Sequence, residues 1–148
     1  MAKIQSQILV KKGREEIFNL LKDMERFPEF MRDVKSLHIL EHVDNKLITK
    51  WQIEIENTAI TWKEEDVFDD KNYTLKFHML EGDYQEYQGS WRLEPHSGTT
   101  RIKIDAVFDW GIPVLERFVA NVLERKARLA FEGMLKSIKK RLEVDLHR

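Results

Sequence analysis

The sequence predicts an α+β fold in which a curved antiparallel sheet wraps around a long C-terminal helix. From residue 34 to 109, apolar and polar residues alternate, and turn signals recur roughly every 10–12 residues, a pattern typical of hairpin-connected strands. From Pro113 to about His147 no further proline occurs, and apolar residues recur at helical spacing. Because a helix with one apolar side must bury that side, we expect the helix to pack on the sheet, with space between them for a hydrophobic ligand.

The composition is that of a single globular domain spanning residues 1–148. Hydrophobic residues make up 42% and charged residues 34%, and the net charge of −1 gives no global support for DNA binding. The absence of cysteine excludes disulfides, thiolate metal sites and cysteine catalysis, and it fits a reducing cytoplasm. We find neither a signal peptide nor an apolar run of transmembrane length, so we expect a cytoplasmic protein.

The N-terminal third predicts one strand followed by two helices. Residues 3–11 alternate with a period of two, and Gly13 ends that strand. Residues 14–24 place four apolar side chains on one helical face, and residues 27–31 form a short second helix with Pro28 near its start.

Six further strands follow, which gives about seven strands in the order β-α-α-β6-α. They are expected at residues 34–43, 46–56, 60–69, 73–80, 85–93 and 101–109. The first strand lies far from these in sequence, and its pairing with either the last strand or the first hairpin strand would extend the sheet.

The C-terminal helix carries a predicted apolar stripe opposite a charged face. The stripe consists of Leu115, Phe118, Val119, Val122, Leu129, Ala130 and Gly133. The charged face consists of Glu124, Arg128, Glu132, Lys136 and Lys140. Lys126 interrupts the stripe, and either its stem packs while its ammonium reaches water, or it points into a cavity and meets a carboxylate.

Aromatic and large apolar residues dominate the predicted inner face. Such residues either fill a packed core or form the wall of a ligand pocket. The candidate ligand-binding residues are Trp51, Ile53, Trp62, Leu75, Phe77, Met79, Tyr87, Trp91, Ile104 and Phe108 from the sheet, with Phe118, Val119 and Val122 from the helix.

Two acids, Glu64 and Asp66, fall on the same inner face. A buried carboxylate is costly unless it is paired or hydrogen-bonded. Three explanations remain open: a bulge turns both to water, they pair with Lys126 or with indole N–H groups, or they orient a ligand or transfer protons. Glu64, Asp66 and Lys126 are therefore the candidate catalytic residues, although the sequence does not decide whether the protein is an enzyme.

Two glycines interrupt these apolar faces. Gly89 predicts either a bulge that bends its strand, which we favour, or a close approach of ligand or helix to the backbone. Gly133 predicts close packing of the C-terminal helix.

The sequence lacks the motifs of other site classes. The five histidines are too dispersed for a metal site, and we find no phosphate loop or nucleophile elbow, so we expect neither a metal nor a cofactor. The basic C-terminal helix either is a solvated face or contacts a membrane surface or a ribosome.

An ordered set of short segments resembles the polyketide cyclase/START-like superfamily, in particular its coenzyme Q-binding and aromatase/cyclase branch. The segments are residues 27–31, 38–41, 62–69, 81–83, 89–91, 98–100 and 134–139, together with Trp51. The resemblance implies a helix-grip fold with a hydrophobic tunnel between the sheet and the last helix. Members include coenzyme Q-binding proteins, lipid carriers, aromatase/cyclases and ribosome-association toxins.

Two departures from the aromatase/cyclases count against their catalysis in this chain. Those enzymes carry a basic residue on the strand that here holds Glu64, Glu65 and Asp66, and an asparagine where this chain has Gly133. Our leading hypothesis is therefore a binding protein for a lipid, isoprenoid quinone or polyketide, as a monomer or homodimer. The alternatives are a polyketide cyclase or dehydratase, and a module that associates with a ribosome or membrane.

Overall fold

A computed structural model describes residues 2–55, 57–83, 85–109 and 113–144, without the side chains of 2, 55, 113–123 and 144. The elements are β1 (Ala2–Val10), α1 (Arg14–Lys22), α2 (Phe27–Phe30), β2 (Val34–Val43), β3 (Lys46–Ile55), β4 (Thr58–Asp69), β5 (Thr74–Gly82), β6 (Glu86–His96), β7 (Thr99–Asp109) and α3 (Pro113–Val144). This order confirms the predicted α+β architecture.

The seven strands form one antiparallel sheet in the order β1-β7-β6-β5-β4-β3-β2. Strands β2 to β7 follow one another as hairpins, and β1 pairs with β7, with Ala2 opposite Phe108 and Val10 opposite Thr100. Of the two pairings that the sequence left open for the first strand, the structure has the one with the last strand. Strands β1 and β2 are the edges of the sheet.

Burial along the central strands follows the predicted period of two. On β4 every second residue from Ile60 to Phe68 is buried, and on β7 the same holds from Thr100 to Phe108. The hairpin between β6 and β7 is tighter than expected, because β6 continues through Pro95 and His96. Its turn needs only Ser97 and Gly98, which both have positive φ, as tight hairpin turns require.

The first helix ends two residues earlier than its apolar pattern suggested. The backbone N–H of Asp23 bonds to the carbonyl oxygens of Asn19 and Leu20, and a single 3₁₀ turn over Met24–Arg26 follows. Met24 is nevertheless buried, because the turn leaves its side chain against the core.

The buried face of α3 differs from the predicted stripe. The core residues are Phe131, Leu135, Ile138 and Leu142, whereas Leu129 is 58% exposed. On a helix turning ~100° per residue, Leu129 lies roughly opposite these four side chains. The prediction was wrong here because a pattern from the first half of the helix was extended into the second. Leu115, Phe118, Val119 and Val122 lie among the side chains outside the described set.

The end of α3 is fastened to β1 by polar contacts. The ammonium of Lys139 donates to the carbonyl oxygen of Leu9 at 2.9 Å. The backbone N–H of Lys11 donates to the Glu143 carboxylate at 3.2 Å, and Lys139 also pairs with that carboxylate at 2.6 Å. These contacts fix one end of the helix over the sheet and thereby position its inner face.

Candidate functional site

A cavity of about 60 Å³ lies between the inner face of the sheet and α3. Its described lining is Trp51, Ile53, Trp62, Glu64, Phe77, Tyr87, Trp91, Ile104 and Phe108 from the sheet, with Ala127, Ala130, Phe131 and Met134 from α3. Among these described residues Glu64 is the only one with an acidic or basic side chain. Apolar walls with few polar groups are typical of sites for small organic molecules.

The cavity brings together most of the predicted ligand-binding residues. Eight of them line it: Trp51, Ile53, Trp62, Phe77, Tyr87, Trp91, Ile104 and Phe108. Leu75 is buried in the core and Met79 packs against that core, but neither lines the cavity. The side chains of Phe118, Val119 and Val122 are outside the described set. A ligand role for all of these residues stays a prediction.

The sequence did not assign the four α3 residues that line the cavity to the ligand site. Ala127, Ala130, Phe131 and Met134 recur at spacings of three and four, which is the signal that could have found them. Ala127 and Ala130 are small, so the helix leaves space where a larger side chain would fill the gap.

Two tryptophans form the centre of the sheet wall. Trp51 and Trp62 lie directly opposite each other on β3 and β4. Their rings stack with centroids 5.4 Å apart and planes 11° from parallel. The rings of Tyr87 and Trp62 meet edge to face with centroids 5.5 Å apart, and the centroids of Tyr87 and Phe77 are 5.0 Å apart. Such contacts hold flat side chains in fixed orientations around the cavity.

A chain of hydrogen bonds runs beneath these rings to the two buried acids. The indole N–H of Trp62 donates to Glu64 Oε1 at 2.7 Å. The indole N–H of Trp51 donates to Thr49 Oγ1 at 2.9 Å, and the Thr49 hydroxyl donates to Asp66 Oδ2 at 2.7 Å. Glu64 is 3% exposed and Asp66 is fully buried, so these bonds replace the water that both carboxyl groups lose.

The two carboxyl groups also contact each other. Glu64 and Asp66 are within hydrogen-bonding reach, while no N–H or hydroxyl donor among the described residues reaches the buried Asp66 Oδ1. A hydrogen bond between two carboxyl groups needs a proton on one of them. Two carboxyl groups this close favour sharing one proton over both being charged.

The pKa values of both carboxyl groups are raised, that of Glu64 well above its ordinary value. Burial raises the pKa of Glu64 well above its ordinary value, the charge and the hydrogen bond of Asp66 raise it further, and the Trp62 bond opposes this. Burial also raises the pKa of Asp66, and its bonds with Glu64 and Thr49 and the charge of the nearby His78 offset only part of that rise. The charge of Glu65 raises it slightly.

The burial of both acids excludes the first of the three explanations for their position, a bulge that turns both to water. A register shift does occur here, because Lys63 pairs with Glu81 whereas Glu64 pairs with Met79. The extra residue is Leu80 on β5, so β4 keeps its alternation and its acids stay inside. The expected indole partner of Glu64 is present, whereas the hydroxyl partner of Asp66, Thr49, was not foreseen. Lys126 is half-buried and is not part of the cavity lining.

The structure changes the interpretation of both glycines. Pairing runs through Gly89 without a register shift, so it forms no bulge. A Cβ there would lie 2.0 Å from the Asp105 carbonyl oxygen and 2.7 Å from Phe77 Cζ, so the close approach is by a neighbouring strand. No described atom lies within 4 Å of a Cβ added at Gly133, so the described residues do not show the expected close packing there.

The described residues show no candidate for a metal site or a membrane-spanning helix. They contain no group of three or more histidine or acidic side chains placed to hold a metal ion. Within the same part of the chain, no helix combines the length and hydropathy needed to cross a membrane.

Comparisons with known proteins agree with this geometry. A family model described as polyketide cyclase / dehydrase and lipid transport matches residues 10–134. No curated protein matches the chain.

Solved structures share the fold at low identity. The protein TTHA0849 from Thermus thermophilus has a TM-score of 0.93 at 22% identity, covering 97% of this chain and 99% of that one. A START superfamily protein from Mycobacterium smegmatis has a TM-score of 0.83 at 16% identity, over 95% and 97%. The Zhui aromatase/cyclase from a Streptomyces species has a TM-score of 0.79 at 13% identity, over 95% of each chain. These likenesses confirm the helix-grip fold.

Proposed function

This chain belongs to the polyketide cyclase/dehydrase and lipid transport family, and from that premise we propose that it binds a hydrophobic small molecule in the cavity between the sheet and α3. The single observation that carries the proposal is the cavity itself, with its aromatic walls and one buried acid. A lipid, an isoprenoid quinone or a polyketide each has the apolar body that such walls accept. Burying the apolar surface of the ligand contributes about 25 cal/mol of binding free energy per Å². The entropy lost when ligand and protein become ordered opposes this gain.

The size of the cavity restricts what can enter without rearrangement. A volume of about 60 Å³ is below the ~300 Å³ at which pockets for drug-sized ligands begin. It is also below the ~150 Å³ of a cavity that holds one benzene ring. A single aromatic ring is therefore the smallest useful probe, and its entry, like that of any longer ligand, requires α3 to move away from the sheet. Ala127 and Ala130 are the small residues on the inner face of α3. Because few side-chain atoms must move there, we expect the cavity to widen on the side of α3 rather than on the side of the sheet.

Toluene tests the proposal directly. We expect it to shift the ¹⁵N-indole resonances of Trp51 and Trp62, whose rings form the cavity wall. In Ala130→Leu the new side chain fills the cavity, so these shifts should disappear. Arg125→Leu places the same side chain at an exposed position of the same helix and should bind toluene like the wild type. Equal binding by the wild type and Ala130→Leu would contradict the proposal.

A second candidate function is proton transfer in a polyketide cyclase or dehydratase. It is favoured by Glu64, which lines the cavity and whose pKa is raised by burial, as a general acid requires. Turnover of a poly-β-ketone substrate should then fall in the double variant Glu64→Gln, Asp66→Asn. Unchanged turnover in that variant would remove this mechanism.

A further inference from the structure

We propose that the cavity selects hydrophobic molecules whose polar head is an amine and that it excludes carboxylates. This inference rests on the proposed function, because it specifies the ligand class of the same cavity. It follows from the hydrogen bonds that Glu64, Asp66 and the indoles of Trp51 and Trp62 have already made at the acid end of the cavity, and from the charge that remains there.

The indole N–H groups of Trp51 and Trp62, which lie opposite each other on the sheet, already donate hydrogen bonds within the protein. The Trp62 N–H donates to Glu64, and the Trp51 N–H donates to Thr49. Glu64 Oε1, in contrast, can accept a second hydrogen bond, since a carboxyl oxygen has two lone pairs. At the acid end of the cavity a ligand therefore meets an acceptor.

The proton shared by Glu64 and Asp66 also forms a hydrogen bond within the protein. Asp66 Oδ1 is buried and has no N–H or hydroxyl donor among the described residues, and Glu64 is the carboxyl group in contact with Asp66. A proton on Glu64 that is donated to Asp66 satisfies both groups. The pair then carries a single negative charge, and Glu64 presents no donor to the cavity.

No cation of the described lining balances this charge. Lysine and arginine are absent from the lining residues that the structure describes. On β4, Lys63 pairs with Glu81 at 3.0 Å, and Glu65 pairs with Lys46 at 3.7 Å, both on the outer face. A ligand carboxylate would therefore enter beside a buried negative charge, whereas an ammonium would neutralise it.

The aromatic walls favour the same head group. Trp62, Trp91 and Phe77 line the cavity that Glu64 enters. The faces of aromatic rings attract organic cations, and this attraction is stronger where water is excluded. A hydrophobic amine thus finds both a hydrogen-bond acceptor with negative charge and aromatic surfaces.

The test uses three probes of one size on the wild-type protein at pH 7: benzylamine, benzyl alcohol and benzoate. Dissociation constants are read from the Trp51 and Trp62 indole resonances. We expect benzylamine to bind at least about tenfold more tightly than benzyl alcohol, the ratio expected for one hydrogen bond to a charged group, and benzoate to bind most weakly. If benzoate or benzyl alcohol binds as tightly as benzylamine, the inference is overturned while the proposed function stands. If none of the three probes binds and toluene does not bind either, the proposed function fails.

Variants of Glu64 and Asp66 test whether the negative charge on Asp66 causes the preference for benzylamine. Glu64→Gln keeps a donor to Asp66 and the charge of Asp66, so the benzylamine preference should persist. The double variant Glu64→Gln, Asp66→Asn removes the charge and should lose the preference, with toluene binding retained. Glu65→Gln changes the neighbouring outward acid and serves as the matched control. A double variant that binds toluene and keeps the wild-type preference would overturn the inference.

Discussion

The indole N–H of Trp62 donates a hydrogen bond of 2.7 Å to Glu64 Oε1, two residues further along the same strand. Alternate residues of a strand lie on one face, so the sequence spacing alone brings the two side chains together. The bond gives a 3% exposed carboxyl group the donor that water would otherwise supply. The tryptophan thus makes an acid tolerable inside an apolar sheet face, at the edge of the cavity.

Replacement of Trp62 by phenylalanine should destabilise the fold beyond the loss of ring surface. Trp91 lines the same cavity and does not bond to Glu64, so Trp91→Phe measures the ring contribution alone. We expect Trp62→Phe to lower the free energy of unfolding by about 1–3 kcal/mol more than Trp91→Phe. Urea denaturation at pH 7 measures both, and equal losses would show that the hydrogen bond contributes nothing.

Stability should fall with rising pH because of the carboxyl pair. Above the ordinary Glu64 value of 4.5, the folded chain holds a proton that the unfolded chain releases, since burial raises the Glu64 pKa. The free energy of unfolding therefore decreases from about pH 4.5 up to the raised value, by about 1.4 kcal/mol for each pKa unit. Asp69 and Glu143, whose pKa values are lowered, act in the opposite direction.

Comparison with Glu64→Gln isolates this effect, because the opposing acids are present in both proteins. The variant should match the wild type near pH 4 and become progressively more stable than it as the pH rises. Glu65→Gln, on the outer face of the same strand, is the control for the loss of a carboxyl group outside the pair. A pH-independent difference between wild type and Glu64→Gln in urea titrations would contradict a raised pKa for Glu64.

Two leucines of α3 distinguish the observed helix face from the one that the sequence suggested. Leu135 is 1% exposed and Leu129 is 58% exposed. We expect Leu135→Ala to cost about 2–5 kcal/mol of unfolding free energy, because it leaves a cavity in the core. Leu129→Ala should change it by no more than about 0.5 kcal/mol. If thermal or urea unfolding showed a larger loss for Leu129→Ala than for Leu135→Ala, the buried face of α3 would be the predicted stripe that contains Leu129.

Replacement of Gly89 and of Gly133 by alanine should change the free energy of unfolding in opposite directions. Gly89→Ala brings a Cβ to 2.0 Å from the backbone carbonyl of Asp105, so we expect a loss of about 3 kcal/mol or more. Gly133→Ala places its Cβ more than 4 Å from every described atom outside the local helix backbone and should gain about 0.5–1 kcal/mol of helix stability. Circular dichroism melts of the two variants check both, and a stable Gly89→Ala would contradict the strand contact.

The strands and their inner faces could be predicted because alternation is a local signal. Trp51, Trp62 and Phe108 were placed inward from spacing alone, and all three are buried. The pairing of β1 with β7 could not be chosen, since a strand that is distant in sequence carries no local indication of its neighbour. The face of α3 could not be predicted reliably, because its two halves carry apolar residues on different sides and only tertiary contact decides between them.

The chemistry of the site was less predictable than its walls. That Glu64 and Asp66 share a face followed from their spacing, but their burial depends on the extra residue, Leu80, lying on β5 rather than on β4. The Thr49 hydroxyl that reaches Asp66 comes from the neighbouring strand, whose register fixes the contact. Such cross-strand partners depend on register, which the sequence of one strand does not contain.

Purification from the native host followed by organic extraction and mass spectrometry tests the central claim most directly. The protein is isolated without detergent, denatured, and its small-molecule content is compared with that of the Ala130→Leu variant purified in the same way. Our account predicts a near-stoichiometric hydrophobic molecule in the wild type that is lost from the variant. An empty wild-type protein that also fails to bind toluene would contradict a ligand site between the sheet and α3.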